Sequence, residues 1–534
     1  MELPPRRAMP DWSAQRQAER LAFWQGIRAE LADIDPADLS HEESVNYRVY
    51  QHQLTSLIDQ QRFRLYECPA NSDTTFWSAL IAQTKRQLAD AAQADDYLAQ
   101  LGTVARYIDQ NVDNMRSGIR RGFGPPQVTM ADRDVAIRRM AELPDAQSSP
   151  FLDPFRTLPE SIGAVDRSDL LERGEAVVLA EVQPAFARLL EFYTTEYYPH
   201  LPQKIDAASL PDGEAYYQAQ LAEYTTTGLT GEQIHQIGLD AVAGLHDEMR
   251  AVASDAGFPD EQAMLEFMRT DPQFYETSEI GLLRRAAWHA KRFDGVAHLY
   301  FGRLPRMGFG IEQPDPDIAP YYTAGRGGWR RYILNTYNLP ARKLYSLPAL
   351  TLHEAAPGHC FQSAMALEMT EHPDFRRRTY TSAYGEGWGL YTERLGVEMG
   401  MYETPFELMG MLSYQMWRAV RLVVDPGIHL LGWTREQAQR YLAENTALND
   451  HEVVTEVDRY ISWPGQAASY YLGMLEILRL RRTAEDALGD RFSLRAFHDL
   501  VLSLGSVPLT VLADEVGRFI ADGGVSPFDD QRQH

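Results

Sequence analysis

The run Leu350-Thr351-Leu352-His353-Glu354-Ala355-Ala356-Pro357-Gly358-His359 sets two imidazoles and a carboxylate close together. This is the equipment of a zinc hydrolase: two histidines hold the metal, and a glutamate beside the first takes a proton from the metal-bound water. In the common arrangement the histidines stand four apart, about 40° around a helix, so one face presents both. Here they stand six apart, roughly 240° around, and an unbroken helix points them in divergent directions. Pro357 removes an amide hydrogen and its ring clashes with the carbonyl of His353, so the helix must kink or stop. Ala356 is driven from helical angles by the proline after it. Gly358 is free to take a positive φ, so the chain can reverse and return His359 to the metal.

A catalytic zinc takes three protein ligands and keeps a position for water, so one ligand is still missing. Tyr384-Gly385-Glu386-Gly387-Trp388-Gly389-Leu390-Tyr391-Thr392-Glu393 places a carboxylate among glycines in an otherwise helical, aromatic stretch. Glycine inside a helix costs about 0.5 to 1 kcal/mol relative to alanine, and a close approach to the metal helix is a reason to keep Gly385, Gly387 and Gly389 there. Glu386 is read as the third ligand. Glu393, on the same helical face, is read as a support for a ligand or a contact to substrate. Arg421, Asp425 and His429 recur every four residues and share a face if Pro426 and Gly427 only bend their helix. Arg421 is then a substrate-binding candidate and His429 a catalytic one, with an Arg421–Asp425 ion pair as the plainer alternative. Tyr470 and Tyr471 follow the turn Pro464-Gly465-Gln466, and a phenol there can donate to a developing oxyanion. Cys360 reads as a small buried residue rather than a nucleophile, because no base and orienting group accompany it.

Two other functions use the same residues. Two histidines and a carboxylate form the facial triad of non-haem iron(II) oxygenases, and a binding protein on an inactive peptidase scaffold retains a cleft without needing a base. Glu354 separates them from a hydrolase, since water activation needs that carboxylate and oxygen chemistry does not.

The elements that must position these groups read mostly as helix. Apolar residues recur at helical spacing over 12–33, 43–65, 83–121, 126–143, 167–198 and 230–256. Thr230 with Gln233, Thr404 with Pro405 and Glu407, and Thr434 with Gln437 resemble capping boxes. The exception is 294–340, where Gly, Pro and aromatic residues surround short runs such as Tyr332-Ile333-Leu334 and predict a small sheet with loops. The fold class is therefore mainly α, in one unit over 1–534 or in two lobes, 1–150 and 151–534, with the loop-rich stretch 142–166 as the seam.

Bulk properties bound the function. Apolar residues make up 44% of the chain and charged residues 24%, enough to build a large core. A formal charge of -24 repels phosphate backbones and anionic membrane surfaces, so neither nucleic acid nor a membrane is an expected partner. Two cysteines, Cys68 and Cys360, are too few to staple the fold. Neither an apolar leader after Met1 nor a stretch of about 18 apolar residues is present, and cytoplasmic residence is the expectation.

Several separated blocks, in order, resemble one bacterial family, that of the domain of unknown function 885. They are His353–His359, Gly385-Glu386-Gly387-Trp388, the stretch Arg418–His429 and Pro464–Tyr470, with Leu210–Tyr217 and Tyr224–Thr227 upstream. The resemblance covers nearly the whole chain. It implies a helical fold similar to the gluzincin metallopeptidases, a long central cleft and a zinc held by two histidines and a glutamate. The function expected is hydrolysis of a peptide or small amide, with one zinc per chain.

Overall fold

The computed structural model describes residues 7–316 and 319–528; Met1–Arg6, which open the stretch read for a leader, lie outside them. Helices form where the apolar period and the caps agree. Ala14–Ala32, His41–Arg62 and Gly231–Asp255 occupy three of the periodic segments, while 83–121 breaks at Gly102-Thr103 into Ala91–Leu101 and Val104–Arg121. Thr230 and Thr434 each complete a capping box. Thr404 completes half of one: its hydroxyl accepts from the Glu407 amide at 3.2 Å, but the Glu407 carboxylate reaches back to the amide of Glu403, at 2.6 Å, instead of Thr404.

The sheet lies in the stretch that lacks helical period, after helix Glu279–Tyr300. Strands β1 (Gly310–Glu312), β2 (Gly325–Gly328) and β3 (Arg331–Leu334) are ordered β1-β3-β2. β1 runs parallel to β3 and β2 antiparallel to it, with Gly327 opposite Tyr332. β2 is thus an edge strand, and its outer backbone groups need partners from elsewhere.

The chain divides into two compact units. The first comprises the chain up to Asp35, Gln53–Tyr216 and Thr455–Trp463; the second comprises Pro36–His52, Tyr217–Val454 and the chain from Pro464 onward. The boundary expected near residue 150 falls inside the first unit, where Phe151, Leu152 and Phe155 share one core with Trp77, Leu101 and Phe186. Every chemically marked residue falls in the second unit. Its helix Pro405–His429 is buried on all sides from Arg418 to His429, as a helix in the middle of a large core is. Pro426 sits inside that helix without ending it.

Candidate metal centre

Helix Leu347–Glu354 is buried throughout and ends at Glu354. The chain crosses Ala355–Gly358, with a cis Ala356–Pro357 peptide, and the next helix, His359–Glu368, begins at the second histidine. Gly358 does not use the positive φ expected of it: its φ is -74°. It is glycine for a steric reason, because a Cβ there falls 1.8 Å from the His353 carbonyl oxygen and 2.4 Å from that of Leu352. The reversal is held from outside by Trp388, whose indole donates to the Pro357 carbonyl at 2.8 Å, and from within by the Phe361 amide on the Ala355 carbonyl at 3.1 Å. The two imidazole rings end 4.8 Å apart and nearly perpendicular, at 86°.

Glu386 lies on helix Ser382–Glu398 and faces both. Its Oε2 is 3.5 Å from Nε2 of His353 and 3.4 Å from Nε2 of His359, and the three ligand atoms lie within 4.8 Å of one another. Tetrahedral zinc with arms of about 2.1 Å has edges of about 3.4 Å, so both glutamate–histidine separations fit the ion with little adjustment. The tautomer fits too. His353 donates from Nδ1 to Oε1 of Glu393 at 2.8 Å, which leaves the Nε2 lone pair for a metal. Glu393 is fully buried and its other oxygen accepts from the Gln415 amide at 3.2 Å. Burial opposes charge on His353, yet the Glu386 and Glu393 carboxylates push it up to about 10. Burial also works against the Glu386 charge, and the two imidazoles nonetheless hold that carboxyl well below its usual range. A bound cation takes the proton's place, so binding releases protons.

Glu354 is 9% exposed and its Oε2 accepts the Gly327 amide of the edge strand β2. The strand thereby finds the outer partner it needs, and the carboxylate gains an anchor. Tyr380, which no sequence motif marks, donates its hydroxyl to Oε1 of Glu386 at 2.8 Å. Each oxygen of Glu386 thus has a different neighbour. Only one of the three glycines serves the purpose expected of all: a Cβ on Gly389 meets the His353 ring at 2.8 Å, whereas one on Gly387 meets the Gly473 backbone and one on Gly385 meets the Tyr380 ring.

The remaining candidates divide. Arg421 lies with its guanidinium 4.6 Å from the centres of both the Trp417 and Tyr470 rings, and Tyr470 is near enough to Tyr380 to help push the pKa of its phenol up, behind desolvation and the Glu386 carboxylate. Tyr471 is carried away from this group. Adjacent residues on a helix diverge by about 100°, and Tyr471 interacts with Arg394 and Glu248 instead, so its assignment as an oxyanion donor is withdrawn. Asp425 accepts from Tyr217 at 2.6 Å and from the Gly465 amide at 3.2 and 3.1 Å, so its hydrogen bonds fasten the turn before the Tyr470 helix. His429 packs its ring 5.2 Å from that of Tyr217, about 12 Å of helix beyond Arg421. The Cys360 thiol is buried and pushed up to about 12 by that burial.

Two predictions arise here. Gly358→Ala is expected to weaken metal binding by at least about tenfold, since the added methyl must displace the His353 carbonyl next to a ligand; calorimetric zinc affinity equal to wild type discards the steric account. Glu386→Gln is expected to lose zinc affinity more steeply than Glu393→Gln, which removes a support and costs about 10- to 100-fold. Competition with a chelator ranks the two, and the reverse order makes Glu393 the ligand.

A mainly helical protein with a buried His-His-Glu grouping is what fold and site define. The chain belongs to the family described as bacterial protein of unknown function, DUF885, whose model matches residues 3–516. No curated protein matches it. A presumed lipoprotein from Colwellia psychrerythraea has a solved structure that is 28% identical, covering 97% of this chain and 93% of that one, at a TM-score of 0.88. A presumed lipoprotein of unknown function from Shewanella oneidensis is 18% identical over 96% of this chain and 94% of that one, at 0.71. The M32 carboxypeptidase from Deinococcus radiodurans R1 matches at only 0.34 and 13% identity over 96% and 97%, a likeness too loose to carry function. The expectation of cytoplasmic residence is not upheld, because the two similar solved structures are both described as lipoproteins. The expectation rested on what the sequence lacks, and an address is written in a processed segment rather than in the fold.

Proposed function

We propose that this protein is a zinc-dependent hydrolase of peptide or peptide-like amide bonds. The observation that carries the reading is the convergence of His353, His359 and Glu386, with both glutamate–histidine separations at the edge length of a zinc tetrahedron, and with Glu354 one residue from a ligand and tied to Gly327. Zinc, when bound, lowers the pKa of water toward about 7 and polarises a carbonyl. The chain supplies the rest. Glu354 accepts the water's proton and returns it to the leaving amine. Glu393 fixes the His353 ring, and Tyr380 holds the Glu386 oxygen that faces away from the histidines. Tyr470 is the phenol on the side of Glu386 and Tyr380, where it can donate to a developing oxyanion. An iron(II) oxygenase has no use for Glu354, which favours hydrolysis.

The substrates are peptides or small amides rather than nucleic acid, in keeping with the charge of -24. Likeness to presumed lipoproteins supports action outside the cytoplasm; no described helix is long and apolar enough to cross a membrane. Metal analysis of the purified protein, with a peptide-library digest read by mass spectrometry, tests the reading. About one zinc per chain together with cut peptides is expected; a zinc-loaded protein that leaves every peptide intact overturns it.

A further inference from the structure

Arg418 is 6% exposed, and among the described residues it makes no ion pair. Its guanidinium lies 4.8 Å from the Tyr414 ring centre and 4.5 Å from that of Trp417. One nitrogen reaches the Tyr414 carbonyl at 3.4 Å, and Nε has no hydrogen-bond partner. Buried arginines are almost always paired, and in this unit even partly buried ones are: Arg394 spans both oxygens of Glu248, and Arg481 spans both of Glu398. Arg376, buried without a carboxylate, at least gives separate nitrogens to Asn46 and the Leu504 carbonyl. Arg418 keeps most of a five-donor fork unspent.

Its position gives the vacancy a meaning. One helical turn before it, Gln415 holds Glu393, which holds His353. On its other side the Trp417 ring that covers Arg418 also covers Arg421, which lies over the Tyr470 ring, and Tyr470 is within electrostatic range of Tyr380, the residue that donates to Glu386. Arg418 is therefore linked to the proposed metal centre by a short chain of contacts, behind aromatic walls that are themselves partly exposed. A chain of charge -24 repels anions at long range, so an anionic group binds only where a local cation meets it. The planar fork matches a carboxylate with two parallel hydrogen bonds.

We propose that Arg418 anchors a substrate carboxylate, so that the peptides taken carry a free C-terminus or an acidic side chain close to the bond to be cut. This rests on the hydrolase reading. Three N-terminally blocked tripeptides test it: a free acid, its C-terminal amide, and that amide with one residue near its end replaced by glutamate. Binding is read by tryptophan fluorescence on zinc-loaded Glu354→Gln protein, and cleavage on wild type. A carboxylated form is expected to bind about 10- to 100-fold more tightly than the plain amide, as hydrogen bonds to charged groups are worth about 1.5–3 kcal/mol, with the cleavage difference residing in KM. Whichever of the two carboxylated peptides shows the gain identifies the source of the carboxylate. Arg418→Gln, checked for an unchanged melting curve, is expected to bring the acid-to-amide ratio close to one, and Arg418→Lys to restore part of it. Equal binding of acid and amide by the Arg418-containing protein, or a ratio that survives Arg418→Gln, overturns the anchor. Selective binding without cleavage overturns the hydrolase reading and leaves the anchor standing.

Discussion

Glu354→Gln protein is expected to keep its zinc and its melting temperature and to hydrolyse peptides about 100- to 10,000-fold more slowly, the range a positioned general base contributes. The substitution is close to isosteric. A glutamine oxygen can still accept the Gly327 amide that now meets Oε2 of Glu354, so strand β2 keeps its partner and the helix end its place. What is lost is the ability to take a proton, since an amide does not protonate near neutral pH. Turnover within about tenfold of wild type, with full metal content, removes Glu354 from the role of base.

His353→Ala and His359→Ala are each expected to come off a chelator column without zinc that wild type retains. Structural zinc binds with about 10–16 kcal/mol over four ligands, or about 3 kcal/mol each, so losing one of three costs about 100-fold or more. The two variants should part on stability. Removing His353 strands Glu393, a fully buried carboxylate whose Oε1 has His353 as its hydrogen-bond partner, and a buried charge left without its partner is strongly destabilising. Removing His359 strands only Glu386, which keeps Tyr380 and the other histidine. Calorimetry should find His353→Ala melting well below His359→Ala, and equal melting temperatures dismiss Glu393 as a buried support. Full zinc in both variants ends the proposed site.

What the sequence made legible was whatever is written locally. The helical period, the threonine caps and the Gly- and Pro-rich interruption that became β1–β3 are short-range signals, and they located the elements. The histidine spacing with Pro357 and Gly358 marked a reversal because proline and glycine act on their own backbone. Its cause was misread in one detail, as Gly358 answers to a carbonyl five residues back in the chain rather than to its own φ. Groups brought in from another segment left no such trace. Tyr380 stands before its helix and nothing in its neighbours says that it turns onto Glu386. Trp388 was visible as part of a motif, but its bond to Pro357 is a tertiary contact. Arg418 could be counted as one more arginine until its missing partner was seen in the fold. Tyr471 was chosen with Tyr470 because adjacency in sequence says nothing about which of two residues a helix turns toward a site.

The reversal between the two histidines also bears on the order in which the protein assembles. In a pair spaced four apart, a single helix turn aligns both ligands, and a fragment of the chain can already offer them to a metal. Here the alignment depends on a carbonyl gripped by Trp388 and a third ligand from the same helix, Ser382–Glu398, so the donors converge only after that helix has docked. Contacts made across such sequence separations form late, because loop closure must come first. On the proposed reading, zinc meets a nearly finished fold, and its capture closes folding rather than nucleating it.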